Sequence, residues 1–272
     1  MKRVINFSGG KTSALMTILE YKPTDLVIFC DTGREHPKTY KFINDFEAFE
    51  GIPVIRIKNF ETEDPFKTML QKRNYKKFPN RMARICTVEL KIKTAKRYLR
   101  SIGIKEFINL VGFRFDEPKR VLNRKKEFKK VHDYFPLYEQ KITKDYVNEF
   151  WRNKPYNLEI PSILGNCDLC FLKGKSNIIA ILSKYPELAD KWIDDEENAS
   201  KQDGYVKGSG RQYFPDITYR QMRDLAQNNI FKDRKYENGQ SSKPEWGTNI
   251  SKKNMIELKE YELKLFIENQ LK

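Results

Sequence analysis

Short, mostly apolar runs recur along the first half of the chain. They are Arg3-Val4-Ile5-Asn6-Phe7, Leu26-Val27-Ile28-Phe29-Cys30, Pro53-Val54-Ile55-Arg56-Ile57 and Phe107-Ile108-Asn109-Leu110-Val111-Gly112-Phe113. Runs of this kind are the signature of strands buried on both faces. Between them the period changes to that of a helix, from Ala14 through Leu19, up to about Phe49, and from Val88 to Leu99. Strands alternating with helices predict an α/β fold: a doubly wound, mainly parallel sheet with right-handed crossovers. The alternation stops near residue 140. Beyond it lie a helix from Thr143 to Trp151 with Thr143 as N-cap, another from Ser176 to Lys184, a short one opened by Pro186, and an amphipathic stretch over roughly 252–270. The expected division is therefore an α/β domain over 1–140 and a helical C-terminal lobe over 141–272. Residues 61–77 are charged and read as a surface excursion, and 198–216 and 228–250 as polar, flexible connections.

The first strand runs directly into Ser8-Gly9-Gly10-Lys11-Thr12-Ser13 and then into a helix. A glycine-rich turn at a helix N-terminus favours anions, because unpaired N–H groups and the helix dipole both face the bound charge. Gly9 and Gly10 are expected to let the backbone approach a phosphate where a Cβ would clash. The triplet Gly10-Lys11-Thr12 is not the end of a P-loop, which needs a glycine where Ile5 stands. Nor is there a third glycine for a dinucleotide fingerprint. Two further groups sit at expected strand ends, where α/β sheets gather ligands. One is Asp31-Thr32-Gly33, leading to His36 and Tyr40. The other is Gly112-x-Arg114-x-x-Glu117-x-x-Arg120, with Asp116 between. Arginine suits phosphate because its planar fork binds oxygens bidentately. His36 reads as a pocket-wall residue.

Together these segments resemble the phosphoadenosine phosphosulfate (PAPS) reductase family of the PP-loop ATP pyrophosphatases, over about residues 1–125. Ser8-Gly9-Gly10-x-x-Ser13 matches the family's loop, and Asp31-Thr32-Gly33 matches its Asp-Thr-Gly segment, with His36 where an aromatic is usual. The resemblance implies that Ser8, Gly9, Gly10, Lys11, Thr12, Ser13, Asp31, Thr32, Gly33, Gly112, Arg114, Glu117 and Arg120 bind ATP or a PAPS-like adenine nucleotide with Mg²⁺. It implies catalytic roles for Lys11, Asp31 and Arg114 in α–β cleavage, adenylation of an acceptor and sulfur transfer. Thr12 stands where many ATP pyrophosphatases carry Asp. The family's reductases attack with a cysteine in a C-terminal Cys-Gly-(Leu or Ile)-His segment. No cysteine follows Cys170 here and no histidine follows His132. A reductase with an atypical nucleophile, and a non-catalytic nucleotide sensor or nucleic-acid-binding protein, are the alternatives.

Cys167-x-x-Cys170 is a chelating spacing, and Cys86 opens the helix before the fourth strand. Iron–sulfur reductases of the family carry a Cys-Cys pair where this chain has Ile85-Cys86. Three readings are open: a [4Fe–4S] cluster on Cys86, Cys167 and Cys170 with one open iron, a Zn²⁺ with His132 or a carboxylate as fourth ligand, or uncomplexed thiols including a redox pair. Cys30 ends a buried strand and reads as core.

Composition adds scale and charge. The 272 residues, 39% hydrophobic and 13% aromatic, suffice for a full core. No apolar run reaches the ~20 residues that span a bilayer, the N-terminus shows no signal-peptide pattern, and four cysteines do not make a disulfide frame. The cytoplasm is the expected location. A formal net charge of +15 favours a polyanionic partner. With the family resemblance this points to a nucleic-acid acceptor, tRNA or DNA, and to a sulfur donor protein.

Overall fold

The computed structural model describes residues 1–124, 130–205 and 210–228. Five strands, β1 (Lys2–Asn6), β2 (Leu26–Cys30), β3 (Ile55–Ile57), β4 (Phe107–Leu110) and β5 (Val131–Tyr134), form one sheet in the order β3-β2-β1-β4-β5. Every pairing is parallel. The sequence pattern shows four of these strands. The fifth pairs only with β4 and buries none of its residues fully, so it lacks the continuous apolar run that marks the others.

The helices are α1 (Lys11–Glu20), α2 (Pro37–Glu50), α3 (Pro65–Gln71), α4 (Lys93–Ser101), α5 (Pro118–Leu122), α6 (Pro136–Glu139), α7 (Lys144–Arg152), α8 (Lys175–Leu182), α9 (Asp190–Ser200) and α10 (Tyr219–Gln227). Thr143 caps α7, its hydroxyl accepting from the Tyr146 N–H at 3.4 Å. The helix expected from Val88 begins instead as a π-helical stretch, Thr87–Ile92, and becomes α-helical at Lys93. Two compact units result. One comprises the described residues of Met1–Pro65 and Val88–Glu159, and the other Phe66–Thr87 with the described residues from Ile160 onward.

In the first unit Leu99 of α4 joins Val4, Ile28, Ile57 and Phe107 in one core cluster. Alternation sends Phe7 to the opposite side, where its ring meets Phe46 of α2 at 4.8 Å. Numbering reverses direction between β1 and β4, so the sheet's switch point lies between the loops that follow these two strands.

The second unit has an aromatic core. Phe78 and Tyr213 stand edge to face at 4.9 Å, and Trp192 stacks on Tyr219 at 5.1 Å. Residues 61–77 are not a surface excursion: Phe66, Met69 and Leu70 of α3 are buried. Their short apolar set lies among charges, which hides it from a periodicity reading. The 198–216 stretch, expected to be flexible, likewise buries Tyr213 and Phe214. α9 sends Asp195 and Glu196 inward. Glu196 accepts the backbone N–H groups of Tyr213 and Tyr219, and burial pushes its carboxyl up to about 7. α10 carries a capping box between Thr218 and Gln221. The helix expected over roughly 252–270 and the connection over 228–250 lie outside the described residues, except for residue 228.

Candidate active site

The loop after β1 is closed by Ser13. Its hydroxyl donates to the Gly10 carbonyl at 2.9 Å, accepts the Ser8 N–H at 3.0 Å and lies 2.9 Å from the Ser8 hydroxyl. Ser13 is buried, so it holds the loop's shape, while Ser8 is exposed. Gly10 is the N-cap of α1 and offers no side-chain acceptor to the first turn. N–H donors that a Ser or Asp cap would occupy are thus left to an incoming anion. From α7, the buried Trp151 donates its indole N–H to the Lys11 carbonyl at 2.9 Å and fixes the loop from behind.

The two glycines have different reasons. Gly9 has φ +74°, and a Cβ there would meet Thr39 Cγ2 at 2.6 Å and Phe29 at 3.4 Å. Its lack of a side chain serves close packing against α2. At Gly10 the nearest atom to a Cβ would be Ser8 Oγ at 3.6 Å.

The segment after β4 closes on the same loop. A Cβ on Gly112 would sit 3.5 Å from Ser13 Cα. Arg114 Nη1 donates toward Thr12 Oγ1 at 3.4 Å, and its Nε donates to Asp116 Oδ1 at 2.9 Å. Burial works to raise the Asp116 carboxyl, but the bond and charge of Arg114 hold it below its ordinary value. Glu117 accepts the Arg114 N–H at 3.2 Å and an Arg120 N–H at 2.6 Å. Arg120 lies 4.2 Å from the Phe113 ring centroid, and Phe113 stacks on Phe135 at 5.5 Å. The two arginines are therefore set in a carboxylate bracket, with Arg114 turned to the loop.

At the end of β2, Asp31 Oδ1 accepts the Gly33 N–H at 2.9 Å and the Tyr40 hydroxyl at 2.8 Å, and Lys58 Nζ is 3.6 Å from Oδ2. Gly33 is fixed by φ +75° and by Glu63 and Pro65, which leave no room for a Cβ. Asp31 and Thr32 are both buried. His36 caps α2, its Nδ1 accepting the Lys38 N–H at 3.1 Å. Burial, helped by the Lys38 charge, pushes its imidazole down to about 4. A neutral cap is a structural role. Trp151 and Lys58 escape sequence reading, since each acts through a partner distant in sequence.

The cysteines separate into two settings. Cys30 packs against the sheet core, burial pushes its thiol up to about 11, and its Sγ donates to the Lys91 carbonyl at 3.6 Å. Cys86, Cys167 and Cys170 belong to the second unit, are half-buried and form no disulfide. The Cys-x-x-Cys loop is well braced. Asp168 accepts the Trp192 indole N–H at 3.0 Å, the Tyr219 hydroxyl donates to the Leu169 carbonyl, and Lys173 donates to the Ile163 and Gly165 carbonyls at 2.6 Å. Among the described residues, no group of three or more His, Cys, Asp or Glu side chains converges as a metal site. His132 is bonded to Glu106 at 3.1 Å. Among the described residues no helix is long and apolar enough to cross a membrane.

A five-stranded parallel sheet with a Ser-Gly-Gly loop at its switch point defines an adenine nucleotide alpha hydrolase-like protein of the PP-loop type. The family model described as phosphoadenosine phosphosulfate reductase domain matches residues 2–156, and the chain belongs to that family. It is 29% identical over 209 residues to an uncharacterized nin region protein, ORF290, of Escherichia phage lambda, covering 65% of this chain and 68% of that one. Two uncharacterized proteins of Methanocaldococcus jannaschii, MJ0973 and MJ0066, are 28% and 25% identical over 200 and 199 residues. Each alignment covers 70% of this chain but only 46% and 40% of those proteins, so the chain spans less than half the length of either.

Proposed function

We propose that the protein is a PP-loop enzyme that cleaves ATP between the α and β phosphates and passes the adenylate to an acceptor destined for sulfur transfer. The observation that carries the reading is the convergence of the uncapped start of α1 with Arg114, whose Nη1 lies 3.4 Å from Thr12. Backbone N–H groups aimed at the departing pyrophosphate stabilise charge that develops in the transition state. Lys11 adds a positive charge to the same loop, and Arg114 offers a second donor fork to the phosphates. Asp31, fixed by Gly33 and Tyr40, is a carboxylate preset at the neighbouring strand end. A magnesium ion, held mainly by the nucleotide's own phosphate oxygens with Asp31 as the protein carboxylate, would neutralise the remaining charge.

In the reaction an acceptor oxygen forms a bond to the α phosphorus, and the bond from that phosphorus to the bridging oxygen breaks. Pyrophosphate carries away the electron pair. The terminal sulfur of a donor protein's persulfide then bonds to the adenylated centre of the acceptor as AMP leaves. A second thiol of the donor cleaves the resulting mixed disulfide, so that the sulfur stays on the acceptor and the donor is left as a disulfide. The acceptor class we favour is nucleic acid, tRNA or DNA, because a net charge of +15 concentrates polyanions. The braced Cys167-x-x-Cys170 loop is what a two-thiolate chelate needs, and Cys86 is the third thiolate of the cluster reading.

The test is pyrophosphate release from ATP, with and without tRNA or DNA. Release stimulated by one polymer supports the reading. Thioredoxin oxidation dependent on PAPS, without pyrophosphate release, would make the protein a reductase.

A further inference from the structure

We infer that the outward face of α4 is the docking surface for the nucleic-acid acceptor, an inference that rests on the acceptor reading above. Lys93, Lys96, Arg97 and Arg100 follow one another at i, i+3, i+4 and i+7, the spacing that places side chains on one face of a helix. All four are exposed, while Thr94 and Leu99 on the opposite face are buried against the sheet side of the unit. From Lys91 to Lys105 the chain holds six basic residues and no carboxylate. Arg97 Nη1 donates to the Asn59 amide oxygen at 2.8 Å, which orients the guanidinium without cancelling its charge. Lys93 bonds Glu89 at 2.8 Å, which offsets part of the charge at the stripe's N-terminal end.

An ordinary solvated helix face mixes signs, because opposite charges at i, i+4 stabilise the helix and like charges there destabilise it. Here Lys93 with Arg97 and Lys96 with Arg100 are both like-charged i, i+4 pairs. The single sign costs local stability that a polyanion would return. Three features favour nucleic acid over an anionic bilayer. The helix's apolar side is already committed to the core cluster through Leu99, so it has no free apolar face to insert at an interface. Two of the four residues are arginines, which suit phosphodiester oxygens. The stripe spans about 10 Å along the helix at ~1.5 Å per residue, a length that meets a few successive phosphates of one strand.

The experiment compares the full-length protein with Lys96→Gln/Arg97→Gln/Arg100→Gln, which keeps helix propensity on exposed positions. A control, Lys22→Gln/Lys191→Gln/Lys201→Gln, removes the same charge from exposed sites elsewhere. Filter binding of total tRNA and of duplex DNA is measured across a salt series, with phosphatidylserine vesicles in parallel and thermal melts as a folding check. The expected result is that the stripe variant loses on the order of a hundredfold in affinity at ~0.1 M salt, and that its log–log salt slope is shallower by about 2 to 3. The control should lose far less, and ATP binding should be unchanged in both. If wild type retains neither polymer at low salt, the acceptor reading fails and the stripe with it. If wild type binds but both variants fall equally, net charge and not this face carries the binding, and the stripe assignment alone is overturned. Loss of vesicle binding with nucleic-acid binding intact overturns it too.

Discussion

The guanidinium of Arg114 reaches the hydroxyl of Thr12, 3.4 Å away, across 102 residues of sequence. That one approach joins the loop after the first strand to the loop after the fourth. Gly112 brings the second loop close to the first, since a Cβ there would already touch the Ser13 backbone at 3.5 Å. Replacing Arg114 by Lys keeps the charge and removes the planar fork, the bond to Thr12 and the bracing by Asp116. ATP affinity measured by calorimetry should fall by about tenfold or more, or ~1.4 kcal/mol, with the melting temperature nearly unchanged. Wild-type affinity in Arg114→Lys would remove the residue from the nucleotide site.

The two loop glycines should respond in opposite ways. Gly9→Val must accommodate both a left-handed backbone and a 2.6 Å approach to Thr39, so it should destabilise the protein by about 2–4 kcal/mol. Gly10→Val meets an extended backbone and only Ser8 Oγ at 3.6 Å. It should melt within a few degrees of wild type and yet bind ATP poorly. Paired melting and calorimetry would decide, and normal nucleotide binding by Gly10→Val would refute the phosphate loop.

Trp151 offers a test at a distance from any ligand. Trp151→Phe deletes the bond to the Lys11 carbonyl and leaves a small void beside Phe42, whose ring lies 5.1 Å away. A loss of about 2 kcal/mol in stability is expected, with a several-fold rise in the Michaelis constant for ATP and a smaller change in turnover. Unchanged kinetics in a destabilised variant would confine the residue to the core.

His36 sets a pH dependence. Its imidazole is pushed from an ordinary 6.5 down to about 4, so the unfolded chain takes up the proton first as pH falls. The contribution is therefore fully present above about 6.5 and is lost as pH falls toward 4. His36→Asn keeps a capping side chain without a titrating group. The stability difference between wild type and variant should shift against wild type by up to about 1.4 kcal/mol per pH unit inside that window. Denaturation at several pH values would show it, and a constant difference would contradict the neutral cap.

The thiols make the last test. Anaerobically purified protein should carry iron matched by sulfide if Cys86, Cys167 and Cys170 gather around a cluster, with loss in each Cys→Ser variant. Stoichiometric zinc without iron would replace the cluster, and metal-free protein with full pyrophosphate release would dismiss both.

Sequence reading succeeded where a feature is local. Four strands, the presence of α1, and the Thr143 cap all follow from short-range pattern, and the Ser-Gly-Gly loop could be placed at a strand–helix junction from ten residues, although α1 begins at Lys11, three residues earlier than its apolar period shows. It failed where partners are distant or apolar residues are sparse. β5 is an edge strand with His132 and Asp133 in it, α3 hides Phe66 and Leu70 among charges, and nothing around Trp151 announces that it holds Lys11. Gly9 is the instructive case: its position was legible, but its close approach to Thr39 was not, because only the folded chain brings that residue near.

The chain leaves the first unit after Pro65 and re-enters it at Val88, and β4, which pairs with the central β1, lies beyond that detour. During synthesis β1 therefore emerges with one edge unpaired and waits for roughly a hundred residues before its second neighbour exists. At typical translation rates of ~5–20 residues per second, that interval lasts several seconds. An apolar strand edge exposed for so long is a template for wrong pairing. The protein's yield in a cell should thus depend more on chaperone supply during that interval than on the stability of the finished sheet.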